Sequence, residues 1–391
     1  MKRRGMIGAA GGALLAAAIR SPARAASPQG VFDAEVRVGV IADLSGPIAS
    51  AGVPIRNGMQ MRFDEANEAG GIHGRHIRPY FEDSGYDTKR SVLLTQKLLQ
   101  QSQVFAMLGV QGSPAIVTTL PEVLDAGLPF LFPASFPRVT FEPFHPLKFA
   151  FVPANDDMME RATRHAVSSL GFRRIGLLVQ DDDYGAEVRR GAETALRAAG
   201  LAPVEATTYK RGATDFSSQV ARLNAAGVDL VLLGTGIRET IGPVQEARTN
   251  GWGMQFLVAS PGYTTDIPEL GGAAMDGLYA VSPFTLPEAI EDGPEMTAWI
   301  ARYRSRFGAS PKFYSGMGYT IANLFLEGLR NAGPQLTPQT YAAGAERIAL
   351  APDFLGNPPY RFTPQDHLGN RSVRVHQLRQ GRWVKVSDFL S

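Results

Sequence analysis

The 391-residue chain contains no cysteine. Disulfides, thiolate catalysis and cysteine-ligated zinc are excluded, and the fold must rely on its core. A basic surface is missing too. Five of the 39 Lys and Arg fall in residues 1–25, which hold none of the 37 Asp and Glu. The rest carries 34 basic against 37 acidic side chains, a formal net charge of −3. No basic patch is left to argue for nucleic acid. Beyond those 25 residues no apolar run is long enough to span a bilayer.

The first 25 residues read as an address. Lys2, Arg3 and Arg4 form a basic head, Met6–Ile19 an apolar stretch rich in Ala and Gly, and Ala23-Arg24-Ala25 a small-x-small cleavage pattern. The Arg3-Arg4 pair also resembles a twin-arginine signal, so either export route is open. Export without a lipid-anchor cysteine predicts a free protein in the periplasm of a double-membraned bacterium. The 366 residues that remain are enough for two domains.

Organisation follows from periodicity. Val36–Ala42 is a continuous apolar run suited to a parallel strand buried on both faces. A helical pattern from about Ile55, through Met59, Phe63 and Ala66, is ended by Gly70-Gly71. Strand and helix patterns then alternate over Ile77–Glu82, Thr88–Gln100, Val104–Leu108, Ala115–Ala126 and Leu128–Phe132. Such alternation predicts βαβ units and a doubly wound parallel sheet. The pattern then repeats. Gly109, Ala134 and Ser135 match Gly234, Ala259 and Ser260, each 125 residues on. Val38–Ile41 matches Ile175–Leu178. Two similar α/β domains are expected, with chain crossings at Phe149–Asn155, Leu278–Phe284 and Pro358–Asn370. The expected division is 34–150 with 284–357 in one lobe, and 151–283 with 358–391 in the other.

Three segments carry a family resemblance: "VRVGVIADLSGPIASAG", "DEANEAGGIHGRHIRPYFEDSGYD" and "RRIGLLVQDDDYGAEVRRGAETALRAAG". They resemble the type I periplasmic binding proteins, in particular the branched-chain and hydrophobic amino-acid or amide receptors of ABC importers. The likeness runs from about Val36 to Val386. It implies two Rossmann-like lobes joined by three hinge crossings, with a small ligand captured in the cleft by lobe closure. It also implies a monomer whose partners are ABC permease and ATPase subunits, and no cofactor.

Candidate contacts lie after the strands, where open α/β sheets bind ligands. In the first lobe these are Ala51, Gln111, Gly112, Ser113, Ala134, Ser135 and Phe136. The resemblance implies that the Gln111–Ser113 and Ala134–Phe136 loops hold a carboxylate through N–H and hydroxyl groups, which suits clustered donors, while Ala51 in place of a bulkier roof residue leaves more room. Ser113, directly before Pro114, also reads as a helix N-cap. In the second lobe Tyr184, Thr235, Gly236, Ser260 and Tyr263 are candidates, with Tyr314 as a further apolar wall. Phe132 reads as core. Amino-acid receptors of this group carry an acid near the "LVASPGYT" loop to pair with the ammonium. Here that position holds Ser260. Either Glu239 or Asp266 reaches in, or the ligand has no ammonium.

Enzymatic signals are thin. "GTGIRETIG" departs from a nucleotide-binding glycine loop, and no G-x-S-x-G elbow is present. The acidic run Asp181–Asp183 reads as a solvated helix start, and His73 with His76 as a surface turn, so no metal is expected. The leading expectation is an importer's solute receptor for an amino acid or an aromatic or hydrophobic carboxylate. A sensing module for a separate signalling partner is the alternative, and an α/β enzyme comes third.

Overall fold

The aliphatic runs become strands in a computed structural model that describes residues 28–286 and 293–390. The export segment 1–25 lies outside the described residues. In chain order the strands are β1 (Glu35–Ala42), β2 (His76–Asp83), β3 (Ala106–Leu108), β4 (Phe130–Leu131), β5 (Lys148–Phe149), β6 (Ile175–Gln180) and β7 (Glu205–Tyr209). There follow β8 (Leu230–Gly234), β9 (Gln255–Val258), β10 (Tyr279–Ser282), β11 (Ala349–Leu350), β12 (Tyr360–Arg361), β13 (Arg374–Arg379) and β14 (Arg382–Lys385).

Two sheets result, one per lobe. The first has the order β2-β1-β3-β4-β5, with every pair parallel. The second runs β14-β13-β10-β9-β8-β6-β7, parallel from β10 to β7. β6 and β8 are buried along their whole length, as strands covered by helices on both faces should be. The β13–β14 hairpin is antiparallel and turns at Gln380-Gly381, both at positive φ, the geometry of a two-residue primed turn.

The chain crosses between sheets after β5, after β10 and before β13. At the first and last crossings the backbones run side by side. Ala150 N–H donates to His367 O and accepts at its own carbonyl from Gly369 N–H, both at 2.9 Å, and the His367 ring stacks on Phe149 at 3.7 Å. Before reaching the second sheet, β12 pairs with β11 in a small antiparallel ribbon.

The first helix begins at Ala49, six residues ahead of its sequence signal at Ile55. Pro54 and the lack of an acidic or hydroxyl cap hide that start. Asp43 supplies the missing organisation, because its carboxylate accepts from the N–H groups of Ser45, Gly46 and Ile48. This helix, Ala49–Glu68, lies against the later helix Phe313–Ala332 with their backbones almost touching. A Cβ on Gly58 would sit 2.0 Å from Ser315 O, and one on Gly318 2.1 Å from Ile55 O. Only glycine allows that approach. Gly318→Val should therefore lower unfolding free energy by roughly 1–3 kcal/mol. Urea denaturation checks this, and an unchanged midpoint would refute the close crossing.

Candidate functional site

Parallel strands end on one edge of each sheet, and in this protein the two edges face each other. The loops after β1, β3, β4, β6, β8 and β9 border one cleft, whose open volume is about 860 Å³ including its mouth. Ala51, Gln111, Ser113, Ala134, Ser135, Phe136, Tyr184, Gly236, Ser260 and Tyr314 all line it. Gly112, Thr235 and Tyr263 do not; they stand behind the wall. Gly112 adopts φ 98° and carries the turn into the helix Ser113–Asp125. The Thr235 hydroxyl is paired with Thr240 at 2.6 Å. Tyr263 is fully buried, stacks on His376 at 4.3 Å, and accepts from Leu286 N–H. Phe132, at φ 45°, packs in the core against Phe149 and Phe362.

The first-lobe end of the cleft holds both engaged and open hydrogen-bonding groups. The Ala134 N–H donates to Val110 O, and the Gln111 N–H to Ile41 O. Ala134 is therefore an apolar wall and not an N–H donor to the cleft. Gly112 N–H donates to Ser135 Oγ at 2.8 Å, leaving the serine's own O–H to point elsewhere. Gln111 Oε1 accepts from Asp43 N–H, fixing the amide. Among the described residues the N–H groups of Ser113 and Ser135 and the Gln111 Nε2 donate to nothing. Ser113 is the first helical residue and not the cap; Gly112 takes the cap position at φ 98°, a conformation that favours glycine. Its hydroxyl accepts from Asn155 Nδ2 at 3.4 Å.

The second lobe repeats this plan. Ala259 N–H donates to Leu233 O, as Ala134 does to Val110. Gly236 caps the helix Ile237–Thr249, and the N–H groups at its start have no backbone partner. Tyr184 is buried; its hydroxyl donates to Thr235 O at 3.4 Å, and burial pushes its pKa well up. Asp182 caps the helix Asp183–Ala198 by accepting from Tyr184 and Gly185 N–H, and pairs with Arg211 at 2.8 Å. Asp181 pairs with Lys210. The acidic run is thus a helix start with two of its three carboxylates ion-paired and Asp183 exposed. Asp266 is buried and ion-paired with Lys312, so it is not free to meet a ligand. Glu239 is also buried and does not line the cleft.

Several lining residues have no place among the sequence candidates. Phe313, Tyr314 and Met317 fall on one helical face, a spacing that Tyr314 alone does not reveal. Arg238 directly follows the glycine loop noted above. Tyr86, at φ 59°, reaches across from the first lobe. Its hydroxyl accepts from Gln180 Nε2 at 3.1 Å, its carbonyl accepts from Arg211, and the Arg211 guanidinium lies 4.5 Å over its ring. Burial raises the Tyr86 pKa to about 12, so it stays protonated. Tyr314 O–H donates across the same gap to Pro261 O at 3.0 Å.

The loops at the facing strand ends thus enclose one cleft. The family model described as periplasmic binding protein matches residues 35–382. The chain belongs to the periplasmic binding protein family. It is 25% identical over 387 residues to the Leu/Ile/Val-binding protein homolog 7 of Brucella abortus, covering 96% of this chain and 95% of that protein. Its fold is similar to the fatty acid ABC transporter substrate-binding protein of Thermomonospora curvata, with TM-score 0.82, 22% identity, and 93% and 94% of the two chains covered. It is likewise similar to an ABC transporter solute-binding protein of R. palustris in complex with benzoate, with TM-score 0.79, 18% identity, and 90% and 96% covered. Two α/β lobes with largely parallel sheets are thus both the observed architecture and the family's. Among the described residues no helix is long and apolar enough to cross a membrane.

Behind the lining residue Asn155, Glu187 accepts from Asn155 Nδ2 at 2.8 Å and from Arg138 N–H at 3.2 Å. Burial dominates over these bonds and lifts its pKa from 4.5 to about 7. The folded state therefore holds this proton more tightly than the unfolded state. Stability should fall as pH rises from about 4.5 through about 7, the window between the two values. Urea unfolding of Glu187→Gln should lose less stability than wild type between about pH 5 and about pH 8. Identical losses would place the carboxyl in water.

Proposed function

We propose that this protein is the periplasmic solute receptor of an ABC importer, and that its ligand is a small carboxylate with an apolar body and no ammonium group. The observation that carries the reading is the first-lobe end of the cleft. There the Ser113 and Ser135 N–H groups, the Ser135 hydroxyl and the Gln111 amide offer donors with no acceptor of their own. A carboxylate supplies acceptor sites for about four donors. Phe136, Phe284, Phe313, Tyr314 and Met317 give the body of such a ligand an apolar enclosure. An ammonium would need a carboxylate partner. Ser260 stands where the group's acid is expected, and Asp266 is engaged by Lys312. The fatty-acid and benzoate proteins of the same fold are in keeping with this reading. Cargo would pass to permease subunits driven by ATPases, after export by the leader at 1–25.

A thermal-shift panel tests it. Aromatic and aliphatic carboxylates should raise the melting temperature, with about 2.7 kcal/mol of stabilisation at roughly 100-fold excess over Kd. A panel in which only zwitterionic amino acids give shifts would refute the ligand class. Removing the donor by Ser135→Ala should weaken carboxylates more than their matching amides, measured by calorimetry. Equal loss for both would assign Ser135 to holding Gly112 alone.

A further inference from the structure

The far end of the cleft, in the second lobe, is also built of donors. Ser260 is only 3% exposed and lines the cleft, yet its hydroxyl and N–H make no hydrogen bond among the described residues. Gly236 and Ile237 line the same end, with N–H groups at the start of a 13-residue helix and no acceptor. Arg238 joins them as an exposed lining residue, and among the described residues it makes no ion pair or side-chain hydrogen bond.

The other charges near the cleft are spoken for. Arg211 pairs with Asp182, Lys312 with Asp266 and Glu269, and Arg138 and Arg190 with Asp156. Asp43 accepts from three loop N–H groups, and Glu187 from Asn155. Glu239 is 7% exposed and does not line the cleft, but its carboxylate lies at the backbone of Gly236, where an added Cβ would fall 2.8 Å from its Oε2, and it attracts the Arg238 guanidinium from behind the wall. The second end thus offers one guanidinium, two helix-start N–H groups and a serine, and no lining acid.

Resting on the receptor reading above, we propose that the ligand is a dicarboxylate with an apolar middle. One carboxylate is held at Ser113, Ser135 and Gln111, and the second at Gly236, Ser260 and Arg238. Buried donors left without an acceptor are costly, so a ligand that ends in a methyl group would strand this second set. An ammonium would fare worse, since it would face both Arg238 and the positive end of a helix dipole. The 125-residue repeat explains the symmetry: Ser135 and Ser260 are equivalent positions, and each lies beside the start of a helix.

Calorimetry on the full mature chain tests this with matched sets. Adipate, suberate, sebacate and terephthalate are compared with hexanoate, octanoate, decanoate and benzoate, and with the corresponding ω-amino acids and 4-(aminomethyl)benzoate. In sets that bind, the dicarboxylate should be at least about tenfold tighter than its monocarboxylate, the worth of one charge-assisted bond. Arg238→Gln should cut that advantage severalfold, weakening dicarboxylates more than monocarboxylates. Because Arg238 is exposed, the variant should melt at the wild-type temperature. Ser260→Ala provides a second variant with the same expected selectivity. Equal or tighter binding of monocarboxylates, tighter binding of amine-bearing ligands, or equal loss for both classes in Arg238→Gln would overturn the dicarboxylate while leaving the receptor reading intact. Failure of all carboxylates would refute both.

Discussion

Asp156 is only 5% exposed and sits where the chain first passes from one lobe to the other. A carboxylate so deeply buried is tolerable only with full compensation, and it has two guanidiniums. Arg138, from the segment between β4 and β5, takes both of its oxygens near 3.0 Å; Arg190, on the helix Asp183–Ala198, takes one at 2.6 Å. Hydrogen bonding to these two arginines holds the Asp156 carboxyl below its usual range despite burial. Loss of one partner from such a cluster typically costs about 3–5 kcal/mol. The rest of the site is arranged around this knot. Asn155, the residue before it, lines the cleft and donates to Glu187 and to Ser113, so the cleft wall is tied to the ion cluster.

Most of the fold was legible in the sequence because parallel sheets leave a plain record. Strands buried on both faces read as unbroken aliphatic runs, and Thr88–Gln100 has the same limits in the sequence and in the structure. The repeat between Gly109–Ser135 and Gly234–Ser260 anticipated two facing loops, and in the structure the Ala134 and Ala259 N–H groups make equivalent bonds to the neighbouring strand end. The start of the first helix was hidden, because Asp43 organises it from outside the helix and Pro54 interrupts the pattern.

The site was legible in part, and the misses have a common cause. Residues in loops after strands can be named from position, which placed Ser113, Ser135, Gly236 and Ser260 on the cleft. Position does not say which N–H groups are already used, so Ala134 looked like a donor. Nor does it distinguish a wall from its backing, which is why Tyr263 and Thr235 were expected at the surface of the cleft. Tyr86 was invisible for a different reason. Its importance comes from partners 94 and 125 residues away, Gln180 and Arg211, and no local pattern encodes such a meeting.

Tyr86 has a consequence for kinetics as well as for geometry. Its bonds to Gln180 and Arg211 join protein to protein across the mouth, as does the bond from Tyr314 to Pro261. None of them depends on what lies between the lobes. Under the receptor reading, a ligand enclosed between the lobes leaves when they part, and parting them breaks these bonds. The dissociation rate of every ligand therefore contains a factor set by the clasp alone, and residence time and specificity can evolve at different residues.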